Sequence, residues 1–159
     1  MKVFSPTAKV KTPVKRSGKV VQSCIRGPSG RSSDTTPTAA MLIKALNTGF
    51  VIAELEVLRA SFDLPMEQLA RLLGISKATL HRRKAAGRLD SAESDRVLRY
   101  ARLMGHAIEV LETEENARGW LTSPQQGLGG AVPCEYARTE VGAREVEALL
   151  GRIAYGVYS

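Results

Sequence analysis

Residues 64–89, LPMEQLARLLGISKATLHRRKAAGRL, constrain this chain more tightly than any other stretch. Leu69, Leu72 and Leu73 make an apolar stripe on a first helix that Pro65 can start, because a proline in the first turn forfeits no hydrogen bond. Ala70 is small where two helices cross closely. Gly74 suits the left-handed turn that ends a helix, Ile75 plugs the core, and Ser76 is a good N-cap for a second helix. Leu80 points back toward the first helix. This is the spacing of a helix-turn-helix, placed at residues 65–85. In the docking mode of that motif the start of the second helix enters the major groove and its flanks meet phosphates. Ser76, Lys77, Thr79, His81, Arg82, Arg83 and Lys84 are therefore the candidate DNA-binding residues. Arg83 stands where an apolar residue is common, which places it at the edge of the core. The plainer alternative is a helical hairpin with a solvated basic face.

The charge is unevenly distributed. The chain has 159 residues and a formal charge of +7. Residues 1–33 hold eight basic residues and no acid, and the remainder holds fifteen against sixteen acids. The positive charge thus belongs to a Ser-, Thr-, Pro- and Gly-rich tail, expected to be disordered. Such a tail either solubilises the protein or contacts phosphates without sequence preference. An organellar transit peptide fits poorly, because lysine exceeds arginine in it.

From Asp34 onward the periodicity is helical and no alternating run competes, so the body is all-α. Met41, Leu42, Ala45 and Leu46 open it, and Val51, Ile52, Leu55 and Leu58 follow Gly49 as a second helix. Asp90 to Glu93 has capping-box spacing. A long central helix then runs through Val97, Ala101, Met104, Ile108 and Leu111, with Arg96, Arg99 and Arg102 as its wet face. Residues 117–133, ARGWLTSPQQGLGGAVP, break the helical pattern, with Trp120 as a core anchor. Thr139 caps a last helix whose apolar face is Val146, Leu149, Leu150 and Ile153. The chain closes on Tyr155-Gly156-Val157-Tyr158-Ser159, either folded back on the core or facing a partner, since tyrosine is favoured at interfaces.

Other chemistries find little support. No apolar run has the length of a signal-peptide core or membrane span. Cys24 and Cys134, with His81 and His106, have no metal-ligand spacing, and a reducing, cytoplasmic setting is the expectation. The sequence contains no nucleophile elbow, and Gly127, Gly129 and Gly130 follow no strand, so no enzymatic activity and no cofactor are expected.

Two blocks carry a family resemblance. The first is LGISKATLHRRKAAGRLDSAESDRVLRYARL (Leu73 to Leu103). The second is ARGWLTSPQQGLGGAVP followed by RTEVGAREVEALLGRIAYGVYS (Arg138 to Ser159), with its Trp-Leu, Pro, Leu-Gly-Gly, Pro, Thr-x-x-Gly and Arg-Ile-x-Tyr-Gly elements in order. Together they resemble the Xre/MbcA/ParS class of bacterial antitoxins, over about residues 38–159. The resemblance implies an Xre/Cro-like helix-turn-helix bundle over residues 34–113 and a small helical toxin-binding domain over 114–159. It also implies a RES-domain partner toxin that consumes NAD, operator DNA bound for autoregulation, and a homodimer with no membrane partner. Arg152, Tyr155, Val157, Tyr158 and Ser159 are then the candidate toxin-binding residues, the last of them lying at the entrance to the toxin's active site. A stand-alone dimeric helix-turn-helix repressor is the alternative.

Overall fold

A computed structural model describes residues 18–26 and 37–156, and among them every regular element is helical. In chain order these are α1 (Lys19–Arg26), α2 (Ala39–Thr48), α3 (Ile52–Phe62), α4 (Met66–Leu72), α5 (Lys77–Ala86), α6 (Ser91–Leu111), α7 (Glu114–Leu121), α8 (Pro133–Tyr136) and α9 (Glu140–Ala154). A 3-10 turn at Gln126–Leu128 joins α7 to α8. Of the described residues, no helix is long and apolar enough to cross a membrane.

The central element is α6, against which α1, α2, α3, α7 and α9 all pack. Val97, Leu98, Tyr100, Ala101, Leu103, Met104, Gly105 and Ala107 are buried on it, a set too broad for one face, as expected of a helix covered on several sides. Its start is fixed by a full capping box. The Asp90 carboxylate accepts from Glu93 N at 2.7 Å, and Glu93 accepts from Asp90 N at 2.9 Å, satisfying two donors that a helix start leaves free. The Tyr100 ring meets Phe62 of α3 edge-on, with centroids 6.0 Å apart.

The bundle is also stitched where α5 ends. Ile52 N donates to Gly87 O at 3.1 Å, Leu89 N donates to Phe50 O at 2.8 Å, and Arg88 reaches the Gly49 carbonyl at 2.8 Å. Gly49, at φ 86, lies so close to the Leu89 carbonyl that a side chain there would collide with it. The first turn of α3 and the end of α5 are therefore joined directly.

Three expectations need correction. Residues 1–33 are not one disordered tail, because residues 19–26 form a helix with Val21 and Ile25 fully buried. Its start is satisfied from a distance: Glu54 of α3 accepts from Val20 N at 3.1 Å and Val21 N at 2.8 Å. Residues 1–17 and 27–36 lie outside the described residues. The break expected at 117–133 begins late, since α7 continues through Trp120 to Leu121 and Pro133 starts α8 as its first residue, a place where proline is suited. Arg99 is not simply wet. Its guanidinium lies 3.2 Å from Glu140 at the start of α9 and donates to the Arg138 carbonyl at 3.3 Å. The Arg99 Nε contact is ionic rather than an aligned hydrogen bond.

Candidate functional site

The helix-turn-helix is built by the residues that signalled it. Leu69, Ala70, Leu72, Leu73, Ile75 and Leu80 are all buried. Gly74 turns the chain at φ 66, and the Ile75 N–H returns to the Ala70 carbonyl at 2.8 Å. The Ser76 hydroxyl accepts from Thr79 N at 3.2 Å, capping α5, and Gly87 ends that helix in the left-handed region at φ 80.

This leaves one outward face on α5. Ser76, Lys77, His81, Arg82 and Lys84 are exposed and Thr79 is half-buried. Among the described residues, no carboxylate pairs with Lys77, Arg82 or Lys84. Their charges are free for an anionic partner. Arg83 differs from them. Its Nε lies 2.8 Å from Glu93 and its Nη2 2.8 Å from Asp90, so the guanidinium is spent on the capping box of α6. It fastens the recognition helix to the core and leaves the set of candidate phosphate contacts. The sequence placed it at the core edge, and the acids of the DSAE cap are the signal that identifies its partners.

The second site is the outer surface formed by α7, α8 and α9. The Tyr100 hydroxyl donates to the Cys134 carbonyl at 2.7 Å and faces the Leu72 carbonyl at 3.5 Å, tying α8 to α6 beside the end of α4. Burial pushes the Cys134 thiol up to about 11, so it stays protonated at neutral pH. Trp120 packs against the core half-buried, as an anchor does. Gln125 holds the loop that follows through the Trp120 and Ser123 carbonyls, and Gly127 of that loop admits the Leu149 side chain against its backbone. Thr139 caps α9 by accepting from Gly142 N at 3.1 Å. Gly142 itself rests on the Tyr136 carbonyl, leaving no space for a side chain.

These contacts aim α9. Its inner face buries Ala143, Val146 and Leu150. Its outer face carries Val141, Ala148, Arg152 and Tyr155, whose spacings of seven, four and three residues put them on one stripe. Val141 is 75% exposed and Tyr155 is 86% exposed. Arg152 is half-buried in the same stripe. The exposed side chains of Val141 and Tyr155 stand near opposite ends of the stripe. Arg152 and Tyr155 are candidates from the sequence, and Val141, not named there, is placed on the same stripe by the fold. Val157, Tyr158 and Ser159 lie outside the described residues. Among the described residues, no group of three or more His, Cys, Asp or Glu could hold a metal ion.

Residues 41–102 match the antitoxin Xre-like helix-turn-helix domain, and residues 106–156 match the antitoxin Xre/MbcA/ParS C-terminal toxin-binding domain. Over 121 residues the chain is 31% identical to an antitoxin Xre of Yersinia enterocolitica, covering 75% of this chain and 82% of the relative. The chain belongs to the Xre antitoxin family. An antitoxin Xre of Photorhabdus laumondii is 29% identical over 162 residues, the whole of both chains. One of Pseudomonas putida is 34% identical over 64 residues, 40% of each. In this antitoxin the helix-turn-helix match ends and the toxin-binding match begins inside α6. A single continuous helix thus belongs to both halves.

Proposed function

We propose that this antitoxin neutralises a RES-domain toxin that consumes NAD by laying the outer face of α9 and the segment after it over the toxin's active site. The observation that carries this reading is the exposure of Val141 and Tyr155, with half-buried Arg152 on the same stripe, on the toxin-binding domain. Tyrosine and arginine are the side chains on which interfaces concentrate binding energy, and an arginine suits the anionic groups such a site handles. As a homodimer the antitoxin also represses its own operon. Ser76, Lys77, Thr79 and His81 enter the major groove of each half-site, and Arg82 and Lys84 meet the flanking phosphates. Two copies supply the affinity that one short helix lacks. In this role the antitoxin performs no catalysis itself.

The test is co-purification with the product of the adjacent gene, followed by an NAD-hydrolysis assay. The complex is expected to be inactive and the separated toxin active. Equal NAD loss with and without the antitoxin would overturn the reading.

A further inference from the structure

One face of α6 runs along the helix-turn-helix in register. Glu93, Arg96 and Tyr100 follow one another at spacings of three and four residues, which puts them on one side of the helix. Glu93 accepts from Arg83 of α5 at 2.8 Å, and the Tyr100 hydroxyl faces the Leu72 carbonyl at the end of α4 at 3.5 Å. Arg96, between them, reaches the turn that joins α4 to α5. Its Nη1 lies 2.9 Å from the point that a Cβ on Gly74 would occupy. The side chain is half-buried, and its Nε donates to the Ala92 carbonyl of its own helix at 3.2 Å. Among the described residues neither Nη has a hydrogen-bond partner, and neither is sealed from solvent. The guanidinium therefore caps no carbonyl of α4 among those residues. It stands over the turn with its outer N–H groups unspent.

The acids at the start of α6 are already neutralised. Asp90 and Glu93 are both held by Arg83, and Asp95 pairs with Arg99 at 3.7 Å. Among the described residues no carboxylate pairs with Arg96, with Arg71 three residues before Gly74, or with Lys77 three residues after it. Three unpaired cations, one each from α4, α5 and α6, thus adjoin one exposed turn. Its place decides which anion it suits. Ser76, the cap of α5, follows Gly74 by two residues, a span of at most about 7 Å. The major groove is about 12 Å wide. With the start of α5 inside it, a guanidinium over Gly74 stands within reach of the phosphates that border the groove.

We propose that Arg96 is a phosphate contact of the DNA-binding surface, delivered by α6 to the strand beside the start of α5. This rests on the reading that α5 binds operator DNA. A guanidinium offers a phosphate two parallel N–H donors, and both Nη groups of Arg96 are open for that. The bond to Ala92 and the half-buried side chain fix the group in advance, so less freedom is lost on binding. Arg96 also lies in the part of α6 that the helix-turn-helix match includes.

Fluorescence anisotropy of the full chain tests this, with a labelled duplex from upstream of its own coding sequence and a scrambled duplex, over about 50–200 mM salt. Arg96→Gln is expected to keep Tm and the preference for the upstream duplex. It is expected to flatten the log–log salt slope by about 1.8, from one phosphate in each of two copies, and to cost at least about threefold in affinity. Arg96→Lys keeps the charge and is expected to keep the slope. Arg102→Gln removes another exposed arginine of α6, where that helix meets α9, and is expected to change neither slope nor affinity. An unchanged slope in Arg96→Gln overturns the proposal, and a fall in Tm beside it places Arg96 in the support of the turn instead. Equal flattening in Arg102→Gln makes the effect one of net charge and also overturns the contact. If the wild-type chain binds both duplexes equally, the operator reading fails instead, and the slope on the scrambled duplex still decides Arg96.

Discussion

The hydroxyl of Tyr100 donates to the carbonyl of Cys134 at 2.7 Å, joining the one helix shared by both halves of this antitoxin to the domain that faces the toxin. The bond is buried, and its acceptor has no solvent to turn to. Burial is the main cause that pushes the phenol of Tyr100 above its ordinary range, so the hydroxyl donates at every physiological pH. Tyr100→Phe keeps the ring against Phe62 and leaves the Cys134 carbonyl short of a donor. The expected loss is about 1–2 kcal/mol, read as a fall of about 2–8 °C in Tm. An unchanged Tm contradicts the role.

Arg82 and Arg83 are neighbours with opposite tasks. Arg82→Gln is expected to leave Tm unchanged and to flatten the salt slope of DNA binding by about 1.8, because each of the two copies neutralises one phosphate fewer. Arg83→Gln is expected to lower Tm, because buried Glu93 loses its cation, while the slope stays as in the wild type. Thermal melts and salt titrations of the two variants, run side by side, check the assignment. A reversed pattern places Arg83 on DNA.

The burial of Glu54 is expected to make the stability of the fold depend on pH. Burial pushes its carboxyl above the ordinary 4.5, outweighing the N–H groups of Val21, Val20 and Gly18 that favour the charged form. A folded state that holds this proton more tightly than the unfolded state is stabilised by it below the unfolded pKa. That contribution is lost as pH rises through the folded pKa. The Tm of the wild type minus that of Glu54→Gln is therefore expected to decline as pH rises above 4.5. A difference that grows with pH contradicts the direction.

Gly142 lets α9 meet the end of α8. Gly142→Ala drives a methyl into the Tyr136 carbonyl, which is backbone and cannot swing aside. The expected cost is about 2 kcal/mol, with weakened toxin neutralisation and DNA affinity within about twofold of wild type. Denaturant melts and DNA titration separate these effects.

Local chemistry made much of this fold legible. The Ser76 cap, the Gly74 turn, the Asp90–Glu93 box and the Thr139 cap are interactions spanning only a few residues, and each stands in the structure as the sequence implied. What escaped depends on partners far along the chain. Val20, Val21, Cys24 and Ile25 have helical spacing, yet a basic, proline-containing neighbourhood masked it, and the acceptor that starts α1 is Glu54, more than thirty residues away. Arg99 read as solvated because Glu140 lies in another helix. On α9, Val141 went unnoticed because an exposed valine looks ordinary until the helix carrying Tyr155 shows which face it shares.

On the proposed reading one body captures a toxin through α9 and DNA through α5, with α6 common to both. The most direct measurement is cellular NAD after co-expression of the adjacent toxin gene with two variants, paired with operator binding in vitro. Val141→Asp with Tyr155→Ala is expected to let NAD fall while operator affinity stays within about twofold of wild type, since truncating central interface anchors costs about 2 kcal/mol or more each. Lys77→Ala with Arg82→Ala is expected to preserve NAD and lose the operator. Preserved NAD in the first variant, with the protein folded, would contradict the account.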